Sequence, residues 1–539
     1  MLEEIGMKIV EKGQGLPLAL ETVGGLLQSK SSVSEWEGVL RSNIWDLPIE
    51  DSKIIPALLL SYYHLPSHLK RCFAYCALFP KDHEFKKETL ILMWMAENFL
   101  QCSQQSKSPE EIGEQYFNDL LSRSFFQQSI RYNQTSFVMH DLLNDLAKYV
   151  CGEICYRLGV DRPGSVPKKT HHFSFTKNPV ECDEYRSLLD AKRLRTFLSI
   201  DGDCGMSIQE LISNFKFLRL LSLASCYDIE EVPDTIADLI DLLSLDLSMT
   251  DIEKLPDSTC SLCNLQVLKL NNCFKLRELP STLHELPNLH RLELSGTTLR
   301  KAPVLLGKLK NLQVWIGRFE VGKSSESSIE QLRQLDLHGD LYIQNLENIV
   351  NPCQALTADL KNKTHLVELY LIWDLKRNID DSMKEREVLE NLPSLGILTS
   401  LKQLRIDGLD QIVRIDADFY GNGSSAFASL ETLKITDMKE WEEWQCMTGA
   451  FPSLQSLCVN RCPKLKGHLP EQLSHLKSLT IGNCEQLGAS IPRTVEIEGV
   501  KMEPSSFDMI GPIVSNTPLE YLRIYCCRMK VCFHSLLLF

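Results

Sequence analysis

The sequence lacks any apolar run approaching the roughly 18 residues that a membrane-spanning helix needs. The first residues, Met1-Leu-Glu-Glu-Ile, are acidic where a secretory signal has a basic region followed by an apolar one. Positive charge is also scarce: 57 Lys and Arg stand against 71 Asp and Glu, a formal net charge of −14. A secreted protein, an integral membrane protein and a general binder of nucleic acid are therefore not expected. We predict a cytoplasmic location, with the nucleus or a peripheral membrane association as alternatives.

Leucine, by contrast, is abundant, at about one residue in six, a bias typical of stacked short repeats. The chain has 539 residues, which is several times the usual domain size. Its hydrophobic content of 44% and charged content of 24% are close to those of globular proteins. Together these values predict a folded protein of several modules, at least one of them repetitive.

The pattern Leu-x-x-Leu-x-Leu recurs from about residue 194 onward. Four regular copies begin at Leu218, Leu242, Leu265 and Leu289, so the repeat is about 23 or 24 residues long. Irregular copies return from Leu366 to the C-terminal region. Alternating apolar residues mark a short strand with one buried side. Parallel stacking of such strands buries the apolar surface that a single repeat would leave exposed. The pattern predicts a leucine-rich-repeat solenoid.

A small residue follows the last strand leucine by three positions in many copies. In leucine-rich repeats this position lies inside the turn, next to the backbone that leaves the strand. The predicted turn residues are Cys226, Thr250, Cys273, Thr297, Cys462, Cys484 and Cys527. Several of the 19 cysteines are thus expected to be buried thiols.

Residues 1–160 show no such repeat and are predicted to be mainly helical. The pattern predicts helices at Leu2–Lys12, from Pro17 to about Gln28, from Pro66 to Pro80, Lys87–Leu100, Pro109–Leu121 and Asp141–Val150. Two strands are expected at Ser124–Ser129 and Ser136–Met139, around a polar turn. Three helices, a hairpin and a closing helix predict a winged-helix unit.

Three short motifs occur in order: Gly15-Leu16-Pro17-Leu18-Ala19, Leu69 to Pro80, and Val138-Met139-His140-Asp141-Leu142. With the repeats, they make the chain resemble a plant nucleotide-binding leucine-rich-repeat (NB-ARC) immune receptor of the coiled-coil class, in the RPP13-like group. The implied fold is α+β: a helical and winged-helix remnant of the NB-ARC module, then an α/β solenoid. The implied domains are a helical subdomain at 1–46, a winged helix at 47–160, a linker at 161–193 and the solenoid at 194–539.

The resemblance also has a departure. A complete receptor has a coiled coil and a phosphate-binding loop before the Gly-Leu-Pro-Leu motif, which here starts at Gly15. We therefore expect an N-terminally truncated product or an incomplete sequence.

The resemblance assigns two residues to bound nucleotide. Pro17 is implied to lie against the adenine of ADP, and His140 to contact its terminal phosphate, while Asp141 is implied to cap the following helix. The alternatives are a helix-opening proline and a packed or solvated histidine. ADP or ATP is expected as the cofactor of the full-length family, but not as a ligand of this chain alone.

Other chemical motifs are expected to be inactive. Residues 317–324 match the phosphate-loop pattern, but Leu312-x-x-Trp315 is predicted to continue the repeat register from Leu289, so this segment is assigned to the solenoid. His64, His68, Cys72 and Cys76 extend too far along one helix for a zinc site. No catalytic constellation is recognised, so we predict neither an enzyme nor a metal site.

The predicted function is plant disease resistance, with the repeats recognising a pathogen effector or a guarded host protein and also contacting the winged helix. The alternative is a leucine-rich-repeat adaptor, such as a ubiquitin-ligase substrate receptor. DNA binding is disfavoured, because the candidate recognition helix is acidic at Glu110, Glu111, Glu114 and Asp119. Recognition is assigned to strand residues beside the leucines, predicted to be exposed: Arg219, Ser222, Ser244, Asp246, Gln266, Lys269, Arg291, Glu293, Lys402, Arg405, Thr432, Lys434, Ser456, Cys458, Ser478 and Thr480.

Overall fold

The computed structural model forms two compact units, one of residues 1–269 with 285–289 and one of residues 270–284 with 290–539. It describes residues 2–13, 15–28, 30–46, 55–100, 107–131, 134–158, 165–176, 186–202, 204–297, 309, 312–322, 328–349, 351–374, 387–388, 395–415, 417–420, 426–446, 449–466, 469–470, 473–487 and 521–525. Within these ranges no helix combines the length and the apolar character needed to cross a bilayer.

The first unit begins with three helices: α1 (Leu2–Lys12), α2 (Pro17–Gln28) and α3 (Val33–Leu40). Their apolar faces share a small core that includes Ile5 and Val39. Helix α3 was not predicted, although its start carries a capping box in which Ser32 and Glu35 satisfy each other's backbone N–H groups.

The winged helix follows, and the predicted helices and hairpin are confirmed with small shifts at their ends. Its elements are α4 (Pro56–Tyr63), α5 (Ser67–Tyr75), α6 (Lys87–Ala96), α7 (Pro109–Ser122), β1 (Gln127–Arg131), β2 (Gln134–Val138) and α8 (Asp141–Cys151). Strands β1 and β2 pair antiparallel. The core contains fully buried Phe73, Trp94 and Phe117.

Parallel strands complete the first unit. They are β3 (Cys155–Leu158), β4 (His172–Thr176), β5 (Thr196–Asp201), β6 (Leu220–Ser222), β7 (Ser244–Asp246) and β8 (Val267–Lys269), with the short helix α9 (Ile208–Asn214) between β5 and β6. Neighbouring leucines are in register, as Leu245 with Leu268. The segment 161–193, predicted as a linker, contains β4, and the parallel sheet already starts at Cys155.

The second unit continues the repeat type. Its strands are β9 (Arg291–Glu293), β10 (Gln313–Trp315), β11 (Gly317–Glu320), β12 (Asp336–Gln344), β13 (His365–Ile372), β14 (Gln403–Asp407), β15 (Arg414–Ile415), β16 (Thr432–Thr436), β17 (Glu443–Trp444), β18 (Ser456–Asn460), β19 (Ser478–Gly482) and β20 (Tyr521–Tyr525), with helices α10 (Cys353–Thr357) and α11 (Ala417–Tyr420). All the pairings among them are parallel.

The predicted turn residues occupy the turns where the structure describes them. The Thr250 hydroxyl donates to the Leu247 carbonyl over 2.7 Å, and the Thr297 hydroxyl donates to the Leu294 carbonyl over 2.8 Å. Cys226, Cys273, Cys462 and Cys484 are buried. Cys527 lies outside the described residues. A small polar group is favoured here because it can hydrogen-bond to backbone groups where the chain leaves the sheet.

The register predicted at Trp315 is wrong by one residue. Val314, not Trp315, pairs with Leu292. Leu312, Val314 and Ile316 are buried, whereas Trp315 is partly exposed on the other side of the strand. Alternation in a strand has period two, so a slip of one residue exchanges the two sides.

Candidate functional site

Pro17 is the first residue of α2, where its fixed φ and missing N–H are tolerated. Its ring is exposed, while the next two residues, Leu18 and Ala19, are buried. Leu18 belongs to the same core cluster as Leu143 of α8. The proline is thus presented to solvent from a helix that is anchored in the winged-helix core.

His140 caps helix α8, which corrects the assignment of the cap to Asp141. The Nδ1 atom of His140 accepts a hydrogen bond from the Leu142 N–H over 3.2 Å, and Asp141 is the first residue of the helix. The imidazole can take this role because one neutral ring nitrogen is an acceptor. Its other nitrogen, Nε2, then carries the proton in the neutral ring.

This arrangement suits one edge of an anion. His140 is exposed and lies at the N-terminal, positive end of the α8 dipole. The Leu143 and Asn144 N–H groups both donate hydrogen bonds to the His140 carbonyl. The assignment of Pro17 to an apolar contact and of His140 to a phosphate contact stays a prediction.

A buried polar cluster joins the winged helix to the parallel sheet. Glu97, which follows α6, accepts a hydrogen bond from the Thr196 hydroxyl of β5 over 2.5 Å. The Tyr75 hydroxyl lies 3.2 Å from Thr196 Oγ1, and His172 Nδ1 lies 3.0 Å from it. A hydroxyl has a single proton, so with that proton given to Glu97, Tyr75 and His172 both donate to Thr196. We call these four residues the junction cluster.

Glu97 is held in its charged form inside this cluster. Burial alone raises the pKa of Glu97. The hydrogen bond and the charge of His172, together with the hydrogen bond from Thr196, outweigh burial, so the pKa is lowered. Its side chain is fully buried. A buried carboxylate without such partners would be costly, so the cluster has to stay assembled.

A second set of bonds ties α8 itself to the sheet. The Asn144 side-chain amide donates to the Phe79 carbonyl over 3.0 Å and accepts from Arg157 of β3 over 3.1 Å. Arg157 also donates to the Phe79 carbonyl. In addition, the Ser174 hydroxyl of β4 donates to the Leu78 carbonyl over 2.6 Å. The helix that His140 caps is therefore connected, one turn later, to the first strands.

In the first unit, the winged helix covers the side of the parallel strands that faces it. Leu198 and Val267 belong to the same buried core cluster as the winged-helix residues, and α6 contacts β7. Among the strand positions predicted to be exposed, Ser222, Ser244, Lys269 and Glu293 are buried, and most others are half-buried. Adjacent strands, and in the first unit the winged helix, shield these side chains. Lys402 is exposed as predicted.

The two rejected motifs have structural explanations. Residues 317–320 of the phosphate-loop match form β11, paired with β12, while Lys323 and Ser324 lie outside the described residues. Burial raises the pKa of the Cys72 and Cys76 thiols, because the charged thiolate would lose its hydration. His68 stacks on Tyr116 with ring centroids 4.3 Å apart.

Sequence reasoning missed the junction cluster entirely. Glu97, Thr196 and His172 are separated by up to about a hundred residues, and no spacing rule connects them. The one available signal was an acidic residue, Glu97, directly after the apolar run of residues 90–96.

Comparison with known proteins identifies the modules. Residues 78–147 match the disease-resistance-protein winged-helix domain, residues 193–392 a leucine-rich-repeat region, and residues 329–462 the R13L1/DRL21 leucine-rich repeats. The winged-helix match includes His140, whereas Pro17 lies before it.

Relatives match over most of the chain. It is 41% identical to the putative disease resistance RPP13-like protein 1 of Arabidopsis thaliana, over 89% of this chain and 52% of that protein. It is 34% identical to the putative disease resistance protein RGA1 of Solanum bulbocastanum, over 97% of this chain and 53% of that protein, and 36% identical to RGA2 of the same species, over 91% and 51%. The chain spans about half the length of these curated relatives. With its winged helix followed by leucine-rich repeats, it belongs to the family of RPP13-like plant disease-resistance proteins.

Proposed function

We propose that this chain is the switch-and-sensor part of an intracellular plant immune receptor. In this proposal the repeats recognise a pathogen effector or a guarded host protein. The winged helix reports recognition to a nucleotide-dependent switch. The chain acts as a regulator in the cytoplasm and not as an enzyme.

The observation that carries the proposal is the junction cluster. Glu97 and Tyr75 belong to the winged helix, and Thr196 and His172 belong to the first parallel strands, so a buried charge depends on groups from both. Leaving a buried hydrogen-bonding group without its partner costs about 1–3 kcal/mol. A shift of the first strands therefore disturbs the winged helix, which is what a sensor coupled to a switch requires.

Nucleotide enters this proposal through α8. In the complete receptor, His140 would hold the terminal phosphate of ADP and Pro17 would lie against the adenine, and bound ADP would favour the resting state. Asn144 and Arg157 connect the same helix to β3, so movement of the sheet changes the position of His140. ADP would act only as a ligand that binds the resting state and the active state with different affinities.

The recognition surface is assigned to the second unit. Its strand side carries partly exposed charged and aromatic residues, among them Tyr370, Lys402, Arg405 and Lys434. The equivalent side of the first unit is covered by the winged helix, so it is not assigned to a partner. Partner specificity is expected to change when the second-unit residues are exchanged between related receptors.

Leaf expression of the full-length gene product tests the proposal. His140→Ala removes the phosphate partner and should cause cell death without an effector. His475→Ala, which changes an exposed histidine of the repeats, is the matched control and should remain silent. Silence of His140→Ala, at protein levels equal to those of an active control receptor, would count against the assignment.

A further inference from the structure

Two neighbouring strands of the second unit bring a carboxylate and two imidazoles to one place. Asp336 and His338 are two residues apart on β12, so their side chains lie on the same side of the strand. His365 of β13 is the direct register partner of His338. One ligand atom from each of the three residues lies within 4.8 Å of the other two.

The contacts within this group are close and ordered. His338 Nε2 lies 3.0 Å from Asp336 Oδ2. The rings of His338 and His365 are stacked with centroids 4.4 Å apart and planes inclined by 6°. No other group of three His, Cys, Asp or Glu residues within the described part of the chain meets this spacing.

Packing against neighbouring side chains supports His338. The Trp315 ring packs against His338 with centroids 4.7 Å apart, and the Arg291 guanidinium covers Trp315 at 3.8 Å. Gly339, at φ 69°, makes room, because a Cβ at this position would lie 2.7 Å from Trp315 Cδ1. His338 is therefore held in place, while the exposed Asp336 and His365 can adjust.

The charges around the group do not oppose a cation. Arg291 is paired with Glu293 over 2.7 Å. The Lys363 ammonium donates to the Arg333 and Leu335 carbonyls.

We propose that Asp336, His338 and His365 form a binding site for a zinc-like divalent transition-metal ion. Two imidazole nitrogens and a carboxylate oxygen are a ligand set that Zn²⁺ accepts, and water completes a tetrahedron. The ion takes the place of the proton shared by His338 and Asp336. Tetrahedral ligands with bonds of 2.0–2.1 Å are about 3.3 Å apart. Asp336 and His338, at 3.0 Å, already have about this separation, so binding mainly moves His365 and unstacks the two rings.

The test is calorimetric titration of Zn²⁺ into the metal-free full chain, kept reduced with a non-chelating phosphine. We expect one ion per chain at this site. His338→Ala and His365→Ala should each weaken binding at least tenfold, and Asp336→Asn should weaken it by a smaller factor. His475→Ala, an exposed repeat histidine outside the group, should leave binding unchanged. Thermal unfolding without metal verifies that each variant is folded.

Cobalt replaces zinc in a second measurement, because the full chain also contains many cysteines. We expect Co²⁺ bound to the wild-type chain to show tetrahedral d–d bands without a thiolate charge-transfer band, and those bands should disappear in the His338→Ala, His365→Ala double variant. The proposal is overturned if the wild type binds no Zn²⁺, if the double variant binds it equally tightly, or if thiolate bands dominate. None of these results depends on receptor function.

Discussion

The hydroxyl of Thr196, on the fifth strand, donates a 2.5 Å hydrogen bond to the carboxylate of Glu97, at the end of a winged-helix helix. Ninety-nine residues separate the two along the chain. The bond is buried, and Tyr75 and His172 complete the group around it. This contact makes the winged helix and the first repeat strands parts of one packed unit.

Loss of this bond should destabilise the first unit. Thr196→Val removes the hydroxyl donor of a buried carboxylate, and we expect a loss of about 1–3 kcal/mol in the free energy of unfolding. In a double-mutant cycle, Glu97→Gln and Thr196→Val should be non-additive. Thr235→Val, which removes a hydroxyl paired with Gln209 nearer the surface, is the control and should cost less. Additive effects in urea unfolding would refute the coupling.

The contribution of Glu97 to the stability of the fold should also depend on pH. Its pKa is lowered in the folded state, so its charge stabilises the fold above the unfolded value of about 4.3. That stabilisation is lost as the pH falls through the lower folded pKa. The stability difference between the wild type and Glu97→Gln should therefore be larger at pH 7 than below pH 4. A difference that stays constant across this range in urea titrations would contradict the pKa assignment.

The repeat register makes a prediction in the second unit. Leu404 is buried and pairs with Leu433, while Lys402, two residues earlier, is exposed and forms an ion pair with Glu431. Leu404→Ala should cost about 2–5 kcal/mol because it leaves a cavity. Lys402→Ala should cost no more than about 1 kcal/mol. Equal losses for the two variants in thermal unfolding would contradict the assignment of Leu404 to the buried side of the strand.

Nucleotide binding by the chain alone is expected to be negligible. Pro17 and His140 offer one apolar and one polar contact, and a diphosphate generally needs a cradle of backbone N–H groups. Calorimetry with ADP should detect no binding in the wild type, and His140→Ala should behave identically. Micromolar affinity that disappears in His140→Ala would contradict this expectation.

Local signals in the sequence predicted much of the fold correctly. Pro17 marks the first residue of its helix, and Thr250 and Thr297 occupy the turns that the repeat period assigned to them. These features depend on contacts within one element or one repeat. The periodic signal was therefore sufficient for them.

Features that depend on tertiary packing were not predictable in the same way. At Trp315 two registers both fit an apolar pattern, and packing of Val314 against Leu292 decides between them. At the start of α8 both His140 and Asp141 could cap the helix, and only the structure shows that His140 does. The junction cluster and the burial of Lys269 arise from contacts between distant segments.

The most direct test of the central claim, that the first strands restrain the winged helix, is cell death in leaves expressing the full-length gene product with Thr196→Val. Its protein level is matched to wild type, with Lys402→Ala as the control and His140→Ala as the positive reference. We predict effector-independent cell death for Thr196→Val and His140→Ala, and none for Lys402→Ala. A silent Thr196→Val beside an active His140→Ala would show that the junction cluster supports the fold without restraining the switch.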